Sequence, residues 1–372
     1  MFDLSAAYDM LDKSIFLKKA AAVGIKGTAL NWLESYLSGR TQLVQVNEER
    51  SSARPLEFGT PQGSSCSCLI FALYVGDIES WVDECLVAAF ADDTFITVEA
   101  NTLDELVERA TREGEKILGF FAANRMVANP SKTGLIIFRP GRMAPEGSDP
   151  VQIELDGVKI SEVKETMLLG VKISNDLTWK SHMNYMNSKL NYTMSVLWRL
   201  RKVLGNKEMK LFADGLFMSR IRYCLPVFGI ESLSANENEP TSSIIGELQK
   251  AQNRVLRIIT GRKRSDHVKI ADMLETTGFL SINQMLAYSC LMEMWKARSF
   301  NVPVLGDLFD RKRQDSRTLR SNTFDIVESN CEEQLVKKLV KLWNSSTKSF
   351  KETNLLVIAK REARTLAKSL PL

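Results

Sequence analysis

Phe90-Ala91-Asp92-Asp93-Thr94 sets two adjacent carboxylates between two short apolar runs, residues 86–90 and 94–98. Apolar runs joined by so few residues predict a β-hairpin with the acids at its tight turn. Adjacent like charges repel unless a cation neutralises them. Oxygen-only ligands suit Mg²⁺, which binds through one or two carboxylates and completes its shell with water and substrate phosphates. Taken alone, the pair also fits a plain solvated turn, because Asp favours turns. A further acid from a distant strand would make it a two-metal phosphoryl-transfer site. Asp3, in Phe2-Asp3-Leu4-Ser5-Ala6-Ala7-Tyr8-Asp9, is the candidate.

Outward from that hairpin the pattern alternates. Residues 13–23 read as a helix stopped by Gly24, and Thr28 as the N-cap of a helix reaching Leu37. Residues 41–47 alternate as a strand, with 56–58 as the candidate partner. Gly59-Thr60-Pro61-Gln62-Gly63-Ser64 is a loop by composition. Apolar residues recur at helical spacing over 68–82 and 103–121. A short strand is expected at 134–138, a Gly- and Pro-rich linker at 139–150, and a hairpin over 151–160 centred on Asp156-Gly157. Residues 167–173 read as one more strand. After Trp179 the pattern is helical: 180–203, 207–223, 243–260, 267–275, 282–298, then a last pair beyond the polar stretch 310–322. Strands among helices, then helices alone, predict an α/β or α+β first domain followed by a mostly α-helical part.

Composition narrows the class. A length of 372 residues, 44% apolar and 25% charged, is that of an ordinary globular protein. There is no run of about 18 apolar residues, and the N-terminus lacks a basic stretch before an apolar core. Neither a membrane span nor a secretory signal is expected. Cys66, Cys68, Cys85, Cys224, Cys290 and Cys331 form no CxxC pair, and there are two histidines, so a structural zinc site is not expected. Reduced thiols and an intracellular location follow, nucleus or cytoplasm and not secreted. The net charge of +4 conceals an asymmetry. Residues 1–150 hold 14 Lys and Arg against 21 Asp and Glu, a net −7, and residues 151–372 hold 35 against 24, a net +11. An acidic half beside a basic one suits a protein that handles a polyanion; the plainer explanation is an uneven surface.

Taken in order, these motifs resemble the palm of a reverse transcriptase, in particular that of non-LTR (LINE-type) retrotransposons. The resemblance runs through Phe2-Asp3-Leu4-Ser5-Ala6-Ala7-Tyr8-Asp9, the Pro61-Gln62-Gly63 loop with the apolar helix after it, Phe90-Ala91-Asp92-Asp93, Asn129-Pro130-Ser131-Lys132-Thr133 and Leu168-Leu169-Gly170-Val171. Leu177-Thr178-Trp179 and Leu248-Gln249-Lys250-Ala251-Gln252-Asn253-Arg254 are similar to stretches beyond the palm of these elements. The resemblance implies an α+β palm over 1–145, a primer-grip-like hairpin region over 146–178 and a helical thumb with C-terminal extension over 179–372. It implies RNA-directed DNA polymerase activity on an RNA template, a DNA primer and dNTPs.

It also implies roles. Asp3, Asp92 and Asp93 would hold two Mg²⁺ ions, with Mn²⁺ able to substitute and the Leu4 carbonyl as a main-chain ligand. Tyr8 would pack under the sugar and exclude a 2′-hydroxyl. Gln62 and Gly63 would contact nucleotide and template, and Lys132 would approach the triphosphate and protonate the leaving group. Leu169 and Gly170 would place the primer by backbone contact. Arg199, Arg201, Lys202, Arg262, Lys263 and Arg264 are candidate phosphate contacts, whereas Trp179 and Trp198 are expected in the core.

Departures from the family qualify that expectation. The sequence begins at the first acidic motif, so the family's fingers would lie upstream, and an isolated chain without them is expected to be impaired. Cys66 and Cys68 stand where an apolar residue and a Pro are common. The first strand is expected near an unprotected sheet edge. The alternative is a catalytically inactive nucleic-acid-binding remnant. Other palm polymerases, such as viral RNA-dependent RNA polymerases or intron maturases, fit less well, given Tyr8 and the motifs beyond the palm.

Overall fold

The structure, a computed structural model, describes residues 1–129, 133–139, 150–233, 243–300, 302, 305–310, 326 and 334–370. The chain divides into two compact units, Met1–Met167 with Ile173–Thr178, and Leu168–Lys172 with Trp179–Leu372.

The first unit contains β1 (Phe2–Asp3), α1 (Lys13–Ala22), α2 (Thr28–Leu37), β2 (Thr41–Gln42), β3 (Gln45–Val46), β4 (Glu49–Arg50), β5 (Arg54–Pro55), α3 (Ser65–Val75), β6 (Leu86–Phe90), β7 (Asp93–Thr97), α4 (Leu103–Ala123), β8 (Gln152–Leu155) and β9 (Val158–Ser161). The antiparallel sheet has the order β1-β7-β6. Phe2, Phe16, Phe71, Tyr74, Ile117, Phe120 and Phe121 are buried beneath it. Phe2 meets Phe121 edge-on, with ring centroids 6.0 Å apart, so the first strand is pinned to α4 one residue before its acid.

α1 starts where Asp12 accepts the backbone N–H groups of Ser14 and Ile15, at 2.8 and 3.0 Å. Its other oxygen takes Arg125 at 2.7 Å. Burial pushes the Asp12 carboxyl up, but the Ser14 hydroxyl, the two amides and the Arg125 guanidinium outweigh it and hold the group below its ordinary value.

Several expectations need correction. α2 is capped by Gly27, at φ 58°, with no side-chain bond from Thr28, which is already helical. The strand expected over 41–47 is split: β2 pairs with β5 and β3 with β4, because Asn47 at φ 55° turns the chain back on itself. The helix expected to reach Val82 stops at Val75, before Gly76, and a 3₁₀ turn follows at Ile78–Trp81. Residues 134–138 form a single bridge, Leu135 to Glu162, rather than a strand. The first strand's outer side is covered, not open. Asn129 N–H donates to the Asp3 carbonyl at 2.7 Å, Ser5 N–H to Val127 at 2.9 Å, and Met1 and Gly134 exchange bonds at 3.0 and 3.1 Å. The expected hairpin at Asp156-Gly157 is present, with φ 49° and 74°.

The segment expected as one strand over 167–173 is instead a hairpin, β10 (Glu165–Leu168) and β11 (Val171–Ser174), whose turn Leu169-Gly170 falls in the second unit. Positive φ at both turn residues, 46° and 81°, is the pattern of a type I′ turn.

The second unit is otherwise helical: α5 (Lys180–Leu200), α6 (Asn206–Ala213), α7 (Ser219–Arg222), α8 (Leu225–Gly229), α9 (Ser243–Thr260), α10 (Ile270–Thr277), α11 (Ile282–Phe300), α12 (Asp307–Asp310), α13 (Gln334–Asn344), α14 (Lys348–Glu352) and α15 (Leu356–Ser369). α11 is the central helix, with Leu286, Cys290, Leu291 and Trp295 fully enclosed by α8, α9, α13 and α15. A π-helical turn, Asp214–Met218, joins α6 to α7 inside the helix expected over 207–223. No helix of the described residues is long and apolar enough to cross a membrane. Most of the expected linker at 139–150 and most of the polar stretch 310–322 lie outside the described residues.

Candidate active site

The sheet register assembles the acids. Asp3 on β1 stands directly opposite Asp93 on β7, and Phe2 opposite Thr94. Opposed residues of an antiparallel pair send their side chains to the same face, with Cα atoms about 4.5–5.5 Å apart. Phe90 pairs with Asp93, so the hairpin is present as expected but its turn is Ala91-Asp92, one residue earlier than the acid pair expected there: Asp92 lies in the turn and Asp93 is the first residue of β7. Only Ala91 has positive φ, 53°, the pattern of a type II′ turn with Ala where glycine fits best. The backbone is strained at that one position.

Leu4 follows the same logic. Carbonyls alternate sides along a strand. The Asp3 carbonyl is taken by Asn129, so the Leu4 carbonyl points to the hairpin side, where the register continues to Asp92. Asp3, Asp93 and the Leu4 carbonyl, with Asp92 in the adjoining turn, offer hard oxygen donors at one end of a three-stranded sheet. Among the described residues no three His, Cys, Asp or Glu side chains form a ready metal cage. Such a donor set fits a divalent ion whose shell is finished by substrate phosphate and water rather than by protein alone.

The hairpin is anchored at its entry by Glu113 of α4, fully buried, which accepts the Asp83 N–H at 3.0 Å and Lys116 at 2.7 Å. Burial raises the Glu113 carboxyl, and Lys116 with the Asp83 and Glu84 amides overcomes this and holds it low. The same burial, with Glu113 beside it, pushes the Cys85 thiol up to about 11.

Tyr8 lies half-buried, stacked on Phe71 of α3 with centroids 4.7 Å apart and planes 25° apart. Burial raises its phenol, and Cys68 and Asp92 raise it further. Gln62 is exposed, and its amide donates to both oxygens of Asp9, at 2.9 and 3.0 Å. Gly63 has φ 79° with open space where a Cβ would stand.

Sequence reasoning missed the residue that seats this loop. Gly59, at φ 80°, lies so close to the first motif that a Cβ would stand 2.9 Å from the Asp9 Cα and carbonyl oxygen. Its N–H donates to Leu11, and the neighbouring Thr60 N–H to Tyr8. The only available signal was its place at the head of the Pro-Gln-Gly loop.

Lys132 lies outside the described residues. Leu169 and Gly170 sit in the second unit, where Tyr223 donates its hydroxyl to the Leu169 carbonyl at 2.5 Å. The basic candidates there divide. Arg262, Lys263 and Arg264 are exposed, whereas Arg201 donates to the Leu204 carbonyl at 3.0 Å and lies against Gly261. The second contact places Arg201, just after α5, beside Gly261 at the start of the Arg262–Arg264 run. Trp198 is not a core residue: it is 60% exposed, with the Lys202 ammonium 4.9 Å above its ring. Trp179 is partly buried against the helical core, as expected.

Residues 1–173 match the family described as reverse transcriptase (RNA-dependent DNA polymerase). Over residues 1–173 the chain is thus similar to reverse-transcriptase domains, a family that works with divalent metal ions. It is 27% identical over 242 residues to the probable RNA-directed DNA polymerase from transposon BS of Drosophila melanogaster, covering 61% of this chain and 25% of that protein. It is 25% identical over 236 residues to the probable RNA-directed DNA polymerase from transposon X-element of the same species, covering 62% and 24%. With the RNA-directed DNA polymerase from mobile element jockey of Drosophila funebris the identity is 22% over 277 residues, covering 70% and 28%. These alignments are longer than residues 1–173, so the likeness continues beyond that domain. The chain spans about a quarter of the length of these relatives.

Proposed function

We propose that this chain is the palm and thumb portion of a non-LTR retrotransposon reverse transcriptase, extending a DNA primer on an RNA template with dNTPs. The observation that carries this reading is the register of Asp3 against Asp93 beside the Asp92 turn. Asp3 and Asp92, with the Leu4 carbonyl, bind two Mg²⁺ ions in this reading, and Asp93 supplies the third carboxylate. Ions held there would supply polarisation of the primer 3′-hydroxyl and stabilisation of the charge on the leaving pyrophosphate.

The chain's own residues do the rest. Tyr8, backed by Phe71, presents a flat neutral wall where a dNTP sugar would lie, leaving no room for a 2′-hydroxyl. Gln62, held by Asp9, and Gly63, with its bare backbone, line the nucleotide and template side. Lys132 is placed at the triphosphate by its motif alone. Leu169-Gly170 contacts the primer strand. The exposed Arg262–Arg264 run and Lys202 meet phosphates.

The test is primer extension on an RNA template with Mg²⁺ and dNTPs, comparing the chain with an Asp92→Ala, Asp93→Ala double variant. Extension lost in the variant supports the assignment. Equal extension by both overturns it. No extension by either, with salt-sensitive binding of RNA–DNA hybrid retained, favours a nucleic-acid-binding remnant.

A further inference from the structure

The turn Leu169-Gly170 is held by two side chains of its own unit. Tyr223, immediately after α7, donates its hydroxyl to the Leu169 carbonyl at 2.5 Å, and its ring lies 3.4 Å from where a Cβ on Gly170 would stand. On the other flank, the Lys172 N–H donates to His182 Nδ1 at 3.2 Å. Together with Tyr185, Lys189, Ser219 and Arg220, these residues line a cleft of about 310 Å³ next to the turn.

The route to Tyr223 is irregular. The π-helical turn at Asp214–Met218 inserts an extra residue before α7 and so re-aims every side chain after it, Ser219, Arg220 and Tyr223 included. One residue beyond Tyr223, Cys224 holds φ 53°, a conformation that disfavours any side chain. Two backbone irregularities therefore flank the residue whose hydroxyl reaches the turn. Tyr223 is itself 53% exposed, so this bond adds little to the stability of the unit. Its effect is local and directional.

His182 shows a similar cost. An amide N–H can only donate, so Nδ1 carries the lone pair and the imidazole proton sits on Nε2. That Nε2 is buried without a hydrogen-bond partner among the described residues. The histidine is 3% exposed and packs against Phe228, with ring centroids 4.9 Å apart. A buried donor is left unsatisfied while the opposite edge of the ring serves Lys172.

The two contacts define a direction. A trans peptide is planar, and its carbonyl and N–H point opposite ways. With the Leu169 carbonyl turned to Tyr223, the Gly170 N–H is aimed away from Tyr223 as an outward donor.

We propose that Tyr223 and His182 are positioning residues of the primer-contacting turn, latching Leu169-Gly170 so that its backbone donor faces the primer strand. This rests on the reading of that turn as a primer contact. The test uses the full chain with Tyr223→Phe, which deletes only the hydroxyl, and His182→Leu, which deletes the acceptor. His182→Asn, which restores an acceptor near the Nδ1 position, is the rescue, and Tyr185→Phe is the control. Amide hydrogen exchange at residues 168–172 and affinity for a recessed RNA–DNA primer–template are measured side by side, with single-stranded RNA of equal length as reference.

Tyr223→Phe is expected to leave the thermal midpoint in place, to speed exchange at 168–172 about tenfold and to weaken primer–template binding about tenfold, while RNA binding holds. His182→Leu behaves alike, and His182→Asn recovers. Unchanged exchange in Tyr223→Phe overturns the latch and leaves the primer reading standing. Faster exchange with unmoved primer affinity overturns the primer reading of the turn, and the positioning role with it. Tyr223→Phe alone decides the matter should His182→Leu fail to fold.

Discussion

Two of the hairpins in the first unit that close with two-residue turns obey different rules. Asp156-Gly157 has positive φ at both residues, 49° and 74°, and its sequence is one of those that a type I′ turn favours. Ala91-Asp92 has positive φ at Ala91 alone, a position that favours glycine. The first turn is set by local chemistry. The second is imposed by the strands it joins: β7 is held between β6 and β1, and the Asp3–Asp93 register needs the turn at 91–92 and nowhere else. Strain tolerated beside the acids and absent from the plain hairpin fits a site that the surrounding structure over-determines.

The comparison can be broken most severely at the acids. Asp92→Ala with Asp93→Ala is expected to lower the primer-extension rate by about 10³-fold or more, on the order of 4 kcal/mol of barrier, with thermal stability unchanged. A double alanine at Asp156 and Lys159, on the plain hairpin, should leave the rate within about twofold. Next, Gly59→Ala should cost about 2–4 kcal/mol in chemical denaturation. Its Cβ would stand 2.9 Å from backbone that cannot move without shifting the Asp3–Asp9 motif. Gly63→Ala, which meets nothing within 4 Å, should cost only the backbone strain, about 1 kcal/mol.

Tyr8→Ala should relax sugar selection, raising ribonucleotide incorporation relative to dNTP roughly 10–100-fold in single-nucleotide assays. A ratio that stays put would remove Tyr8 from the nucleotide site.

The framework around the strained hairpin should be acid-sensitive. Asp12 and Glu113 both have folded carboxyls held below their ordinary values. The stability they contribute is present above the unfolded values near pH 4 and is lost as the pH falls through the folded ones. Denaturation midpoints between pH 7 and pH 3 should therefore fall, and Glu113→Gln should flatten the slope. The smallest effect sharpens the opening contrast: Ala91→Gly should stabilise by up to about 1 kcal/mol, whereas Gly157→Ala should destabilise by a similar amount.

Legibility followed the range of the interaction. The Asp156-Gly157 hairpin, helix 243–260 and the helical spacing of 103–121 were readable because turn chemistry and periodicity act over a few residues. The same rules misread 167–173, whose apolar run hides a turn at Leu169-Gly170, and 41–47, which Asn47 folds on itself. Trp198, an apolar residue of a helical half, was expected inside and stands exposed under Lys202. Periodicity marks a face but does not say which neighbour covers it.

For the site, motif order along the chain was enough to nominate Asp3, Asp92 and Asp93, and with them the family. The amino-acid sequence by itself determined the chemistry on offer, namely carboxylates at a tight turn, a loop built on glycine and a basic second half, because side-chain identity and local backbone preference are properties of short segments. Only the tertiary structure decided that Asp3 stands opposite Asp93, that Gly59 is the point where the loop touches the first motif, and that Tyr223 and His182 hold the Leu169-Gly170 turn. Those placements depend on register and on close approach between segments tens of residues apart, which a one-residue slip would undo and which no local pattern encodes.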